Sequence, residues 1–344
     1  MSRFRRARRI AACVVAVLVV LTLAHAYLAQ AAERDYPPTG LFLTVDGVHL
    51  HYTEEGEGPV LVLLHGNGAM VEDFALSGLV ERAAQSFRVI SFDRPGFGHS
   101  TRPRGVEWTP TAQARLISEA LARMGVTQAI VLGHSWGALV AVTLALDNPR
   151  LVQGLVLEAG YFFQSPRLDA RMVRLVAQPG LEDVFSYTLT PLMARLLWTP
   201  IMDDVFGPDA VPAQFARFPK ALALRPSQLR AATEEVALLN SGAAALEGRL
   251  GRLALPVAIV VGDGDRLIDP QSQSIRLHQT LPQSSLRVIP GGGHMVHQTA
   301  LDDVMAAIDE VDQSVRPDPG PGLSPPSGAL RRGVPTPAPW PLAR

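Results

Sequence analysis

One stretch narrows the fold more than any other, Ala129-Ile-Val-Leu-Gly-His-Ser-Trp-Gly-Ala138. A short β-rich run leads into Gly133-His134-Ser135-Trp136-Gly137, and an apolar helical pattern follows to Leu146. Strand, G-x-S-x-G and helix in that order predict a turn so tight that Gly133 and Gly137 are needed to avoid the neighbouring strand and helix. Ser135 then sits at the apex in a strained backbone, with its hydroxyl exposed and a helix N-terminus beneath it. A turn of this kind needs a parallel sheet behind it.

The rest of the chain supplies that sheet. Leu41–Val45 and Val48–Tyr52 alternate apolar and polar residues around Asp46-Gly47, which predicts a hairpin with a type I′ turn. Val60–Leu64, Arg88–Phe92, Val152–Leu157, Val257–Val261 and Leu286–Ile289 read as further strands, most of them apolar enough to be buried on both faces. Helical patterns lie between them over Val71–Ala84, Thr109–Met124, Pro270–Thr280 and Met295–Val311, with Thr109-Pro110 as cap and first-turn proline. The fold class expected is α/β, a mostly parallel sheet covered by helices on both faces.

Two stretches break this rhythm. From residue 161 to residue 253 no buried strand is visible; helix-like pieces at Ala170–Ala177, Leu181–Trp198 and Arg230–Leu250 are separated by prolines. Too long for a plain loop, it is expected to be a helical lid inserted into a core of residues 41–160 and 254–313. Residues 314–344 are proline-rich and are expected to be a disordered tail.

The N-terminus carries a different signal. Arg3, Arg5, Arg6, Arg8 and Arg9 precede an almost wholly apolar run from Ile10 to Ala29, and no charged residue follows until Glu33. Residues 1–32 are therefore expected to be an uncleaved inner-membrane anchor, with the catalytic domain outside the cytoplasm. Ala29-Gln30-Ala31 offers a cleavage site, so a secreted or periplasmic product of a signal peptide is the alternative. A formal net charge of -1 gives no reason to expect a nucleic-acid partner, and a single cysteine, Cys13, excludes an internal disulfide.

A serine hydroxyl is a poor nucleophile until a base takes its proton. His294, behind Gly291-Gly-Gly293 after the last strand, falls at the sheet edge where the Ser135 turn points. His297, one turn further, is expected to be a packing or surface residue, and His278 an exposed one. The imidazole needs a carboxylate, and Asp265 is preferred over Asp263 and Glu158, which also stand at strand ends. Asp269 is read as a helix N-cap. The backbone N–H groups of Trp136 and of Asn67, beside Gly66, are expected to hold an oxyanion, while His65 braces the loop. This mechanism requires no metal or organic cofactor.

The order Ser135, Asp265, His294, together with His65-Gly66, Asp93-Arg-Pro-Gly-Phe-Gly-His-Ser100, Gly262-Asp-Gly-Asp265 and Gly293-His294, resembles the α/β-hydrolase superfamily over residues 41–312. The resemblance implies an eight-stranded, mostly parallel sheet with a lid after strand six. Epoxide hydrolases and haloalkane dehalogenases of this fold use an aspartate where this chain has Ser135, which argues against both. Ester hydrolysis on a small acyl substrate is the activity expected. A cofactor-free haloperoxidase or perhydrolase, a carbon–carbon bond hydrolase and a non-catalytic binding protein are the alternatives. The lid aromatics Phe162, Phe163, Phe185, Trp198, Phe206, Phe215 and Phe218 suggest an apolar acyl or alcohol pocket.

Overall fold

The structure, a computed structural model, describes residues 2–165, 178 and 180–316. Helix α1 (Ser2–Asp35) precedes β1 (Leu41–Val45), β2 (Val48–Glu55) and β3 (Val60–Leu64). Then come α2 (Val71–Ser77), α3 (Leu79–Ala83), β4 (Arg88–Phe92), α4 (Pro110–Arg123), β5 (Ala129–His134), α5 (Trp136–Asp147) and β6 (Val152–Glu158). The insertion holds α6 (Leu181–Tyr187), α7 (Leu189–Leu196), α8 (Trp198–Phe206), α9 (Lys220–Ala223) and α10 (Pro226–Glu247). The chain returns through β7 (Val257–Gly262), α11 (Arg276–Thr280), β8 (Ser284–Ile289), α12 (Val296–Thr299) and α13 (Leu301–Val315).

All eight strands form one sheet in the order β1-β2-β4-β3-β5-β6-β7-β8. β1 and β2 pair antiparallel, as do β2 and β4; every other pairing is parallel. The hairpin turns at Asp46 and Gly47 with φ of 47° and 79°, the positive pair a type I′ turn needs. Alternation along β3 divides the core: Val62 and Leu64 face the layer of α4 and α5, whereas Leu61 and Leu63 face the layer of α2, α3 and α13. Thr109 caps α4 by accepting from the backbone N–H of Ala112.

Element boundaries differ from expectation at several places; the helix expected over 181–198 is α6, α7 and the start of α8. The helix expected over 71–84 is broken at Gly78, whose φ of 83° ends α2 with a left-handed cap. The helix expected over 295–311 is two, separated at Ala300, and the second continues to Val315. Glu33 to Asp35, past the expected end of the anchor at residue 32, extend α1, where Glu33 pairs with Arg225 and Ala32 is buried. The helix expected at 170–177 and the rest of the expected tail beyond residue 316 lie outside the described residues.

Candidate active site

The turn after β5 has the geometry its sequence predicts. Ser135 has φ 53° and ψ −116°, a strained backbone for a residue with a side chain. Both glycines are there for space. A Cβ at Gly133 would lie 2.5 Å from the Gly137 carbonyl, and one at Gly137 would lie 2.0 Å from the Leu64 carbonyl. The Ser135 N–H donates to the Glu158 carbonyl at 2.9 Å, tying the apex to β6. Ser135 is half-buried and opens onto a cavity of about 430 Å³.

His294 lines the same cavity. Its Nδ1 is 2.7 Å from Asp265 Oδ2, so the ring donates there and Nε2 is the nitrogen left to accept a proton. Asp265 is aimed in turn: Oδ1 accepts from the N–H groups of Leu267 and Ile268 at 2.8 and 3.0 Å. The other two acids are engaged elsewhere. Asp263 accepts from the Gly291 N–H at 2.6 Å, and Glu158 bonds His297. Ser135 and His294, 159 positions apart by their numbers, thus line one cavity, with Asp265 bonded to His294, at the carboxyl ends of β5, β7 and β8.

Gly66 and Asn67 also line the cavity. A side chain at residue 66 would meet His134 Nδ1 at 2.8 Å and Ser135 Cβ at 3.2 Å, so only glycine lets the two loops approach. The Asn67 side chain does not point into the site: Nδ2 donates to the Ala232 carbonyl and Glu235 of α10 at 3.1 and 3.0 Å. Trp136 opens α5 with its ring buried. His65 braces the loop, its Nδ1 donating to the Gly66 carbonyl and its Nε2 accepting from the Arg94 N–H. Burial, then the neighbouring Arg94 charge, lower its pKa to about 4, so it is neutral. Arg94 is fully buried, pairs with Glu235, and also donates to the carbonyls of His65 and Gly66. This explains why Asp93-Arg94 belongs to the motif: it fastens the loop to α10.

A second histidine assembly lies beneath, and sequence reasoning missed it. His297, expected to be a packing or surface residue, is fully buried between two carboxylates. Its Nδ1 is 2.8 Å from Glu158 and its Nε2 3.1 Å from Asp73. Burial alone would lower its pKa, but the charges of Asp73 and Glu158 outweigh that and raise it to about 10. His134 stands between the two assemblies, with ring centroids 4.8 Å from His294 and 4.7 Å from His297. Its Nε2 donates to the His294 carbonyl at 3.1 Å, and burial, then the charge of His297, keep it neutral. Nothing local marks His297 for this role, because Asp73 lies on α2, far away in sequence. His278, expected exposed, is half-buried against Ser284.

The cavity wall is apolar. Trp198, Ile201, Met202, Phe215, Phe218 and Leu224 supply much of it. Phe206 packs behind Phe215 at 4.8 Å between centroids, while Phe162 and Phe163 belong to the sheet core. Asp73 and Asp204 also reach the cavity, and no arginine or lysine does among the described residues.

Comparisons with known proteins agree with this architecture. A family model described as alpha/beta hydrolase fold matches residues 59–300. Haloalkane dehalogenase 2 of Mycobacterium tuberculosis is 28% identical over 271 residues, 76% of this chain and 90% of that protein. A 2-hydroxy-6-oxononadienedioate/2-hydroxy-6-oxononatrienedioate hydrolase of Pseudomonas putida is 28% identical over 263 residues, 72% of this chain and 85% of that protein. Among solved structures, a membrane phospholipase A superposes with a TM-score of 0.62 at 22% identity, covering 91% of this chain and 99% of that one. A thermophilic esterase from Thermogutta terrifontis superposes with a TM-score of 0.64 at 22% identity, covering 80% of this chain and 97% of that one.

Proposed function

The chain belongs to the alpha/beta hydrolase family, and from that premise we propose that it is a serine hydrolase of carboxylic esters, held at a membrane by α1. The observation that carries the reading is the single cavity onto which Ser135, His294 and the Gly66-Asn67 loop all open, with Asp265 fixed behind His294.

The steps follow from the geometry. Ser135 Oγ attacks the ester carbonyl carbon while His294 Nε2 takes its proton. Asp265 holds the ring in the tautomer that leaves Nε2 free and stabilises the imidazolium that results. The negative oxygen of the tetrahedral intermediate is held by the N–H groups of Trp136 and Asn67, in a site that apolar walls keep dry. The C–O bond to the alcohol breaks and His294 returns the proton to the departing oxygen. Water then attacks the acyl carbon with His294 again as base, and the acid leaves.

Two features choose among chemistries. The dehalogenase relative is of a kind that uses aspartate as nucleophile, and residue 135 here is serine. The Pseudomonas putida relative is named for a dicarboxylate, whereas no arginine or lysine lines the cavity here among the described residues and Asp204 does. A neutral, apolar acyl ester fits such a wall better than a dianion does. The test is turnover of p-nitrophenyl esters of rising chain length by the full-length protein. Hydrolysis that is abolished in Ser135→Ala supports the reading; equal turnover in that variant rejects it.

A further inference from the structure

Helix α7 is amphipathic the wrong way round for a soluble lid. Leu189, Leu192, Met193, Leu196 and Leu197 follow the i, i+3, i+4, i+7, i+8 spacing of one helical face, and all five are exposed, Leu196 at 68%. The opposite face, which packs inward, carries buried Pro191 and half-buried Ala194 and Arg195. Leu181 and Val184 on α6 extend the exposed apolar surface. A face of this kind, exposed and without a partner among the described residues, marks a contact with something apolar.

The position of α1 identifies that partner. Its apolar run from Ile10 to Ala29 is about 30 Å long at 1.5 Å per residue, which matches the hydrocarbon thickness of a bilayer. Its most apolar window has a mean hydropathy of 2.4 and is 6% buried. The outer half of α1 is not free of the domain. A stripe of Leu18, Leu21, Thr22, His25, Ala29 and Ala32 is wholly or partly covered. The His25 ring bonds the carbonyl of Tyr187, the last residue of α6, at 3.1 Å. His25 lies four residues inside the end of the apolar run, so about 6 Å below it. The contact therefore draws the end of α6, and α7 directly after it, to the level of the outer hydrocarbon boundary.

We propose that the apolar face of α7, with its extension on α6, is a second membrane-inserted surface, lying in the outer part of the leaflet that α1 crosses. The inner faces of α7 and α8 supply Ala194, Trp198 and Ile201 to the cavity over Ser135. An acyl chain thus passes from lipid to the cavity across helices wetted on one side by the bilayer. This rests on the ester-hydrolase reading and gives it a substrate class, acyl esters resident in the membrane.

The insertion is tested without reference to activity. In a Cys13→Ser background, nitroxide labels are placed at Leu196→Cys and, as a control, at exposed Val288→Cys on β8; the full chain is then reconstituted into phosphatidylcholine vesicles. Oxygen, which concentrates in lipid, is expected to relax the label at 196 several-fold more effectively than a water-borne nickel chelate, with the reverse at 288. Equal access of the chelate at both sites overturns the proposal. So does protection of residue 196 from both reagents, which is the signature of a contact between copies of the chain. In a second measurement Leu196→Glu is expected to lower turnover of a vesicle-resident ester by roughly tenfold. Turnover of soluble p-nitrophenyl butyrate is expected to be unchanged, and equal loss on both substrates rejects the lid face as the cause. Ser135→Ala, silent on both, would separately report on the hydrolase reading.

Discussion

Two histidine–carboxylate assemblies lie one imidazole apart in this molecule, and they are built from the same parts to opposite ends. His294 has one carboxylate, Asp265, and a second nitrogen on the cavity side. His297 has a carboxylate on each nitrogen, Glu158 and Asp73, and no exposed surface. A ring with one nitrogen unclaimed can take and return a proton during a reaction. A ring with both claimed is held as a cation and its proton has nowhere to go. The count of partners on the imidazole, rather than the presence of an acid beside a histidine, separates chemistry from architecture.

The comparison is broken most decisively at the nucleophile. Ser135→Ala is expected to lower kcat by about a million-fold, as loss of a triad serine does, with the melting temperature unchanged. Steady-state kinetics beside thermal melting checks both halves. Next in size is Asp265→Asn, which keeps the shape and loses the tautomer control; a kcat loss of about 10⁴ is expected, with little change in stability. Glu158→Gln is its mirror. It removes one charge from a buried network, so about 3–5 kcal/mol of stability is expected to go, while activity of the folded fraction stays within an order of magnitude. A Glu158→Gln enzyme that is stable but inactive would reverse the two assignments.

A titration sharpens the comparison further. The pKa of His297 is raised from 6.5 to about 10 on folding. Its contribution to stability is therefore complete below pH 6.5 and is lost as pH rises toward 10. The melting temperature of the native protein is expected to fall across that window more steeply than that of His297→Gln. His65 runs the other way: lowered to about 4, it withdraws stability as pH falls from 6.5 to 4. The smallest effect is expected at Asn67→Ala, which removes two side-chain bonds to α10. About 1 kcal/mol of stability and a modest rise in KM are expected, read by denaturant melts and kinetics.

The sheet was legible because each strand is a short apolar run with turn residues at its ends, and the Ser135 turn because its glycines have no substitute. The contact between Asp265 and His294 was legible from the places of both residues after strands, since parallel strands send their following loops to one edge. The ion-paired burial of His297 was not, because it depends on Asp73 from another helix layer. Nor was the Asn67 side chain's bond to α10, which exists only once the insertion folds back over the loop. The break at Gly78 and the extension of α1 to Asp35 were missed for a similar reason. A glycine inside a helical pattern and charged residues after an apolar run are ambiguous until their tertiary partners are known.

The Arg94–Glu235 pair and the Asn67 bonds clamp one end of the insertion to the Gly66-Asn67 loop. An opening of the cover that keeps those bonds leaves α10 in place. Selectivity for the acyl group can consequently drift, or be engineered, through α6 to α8 while the atoms that do the chemistry remain in register.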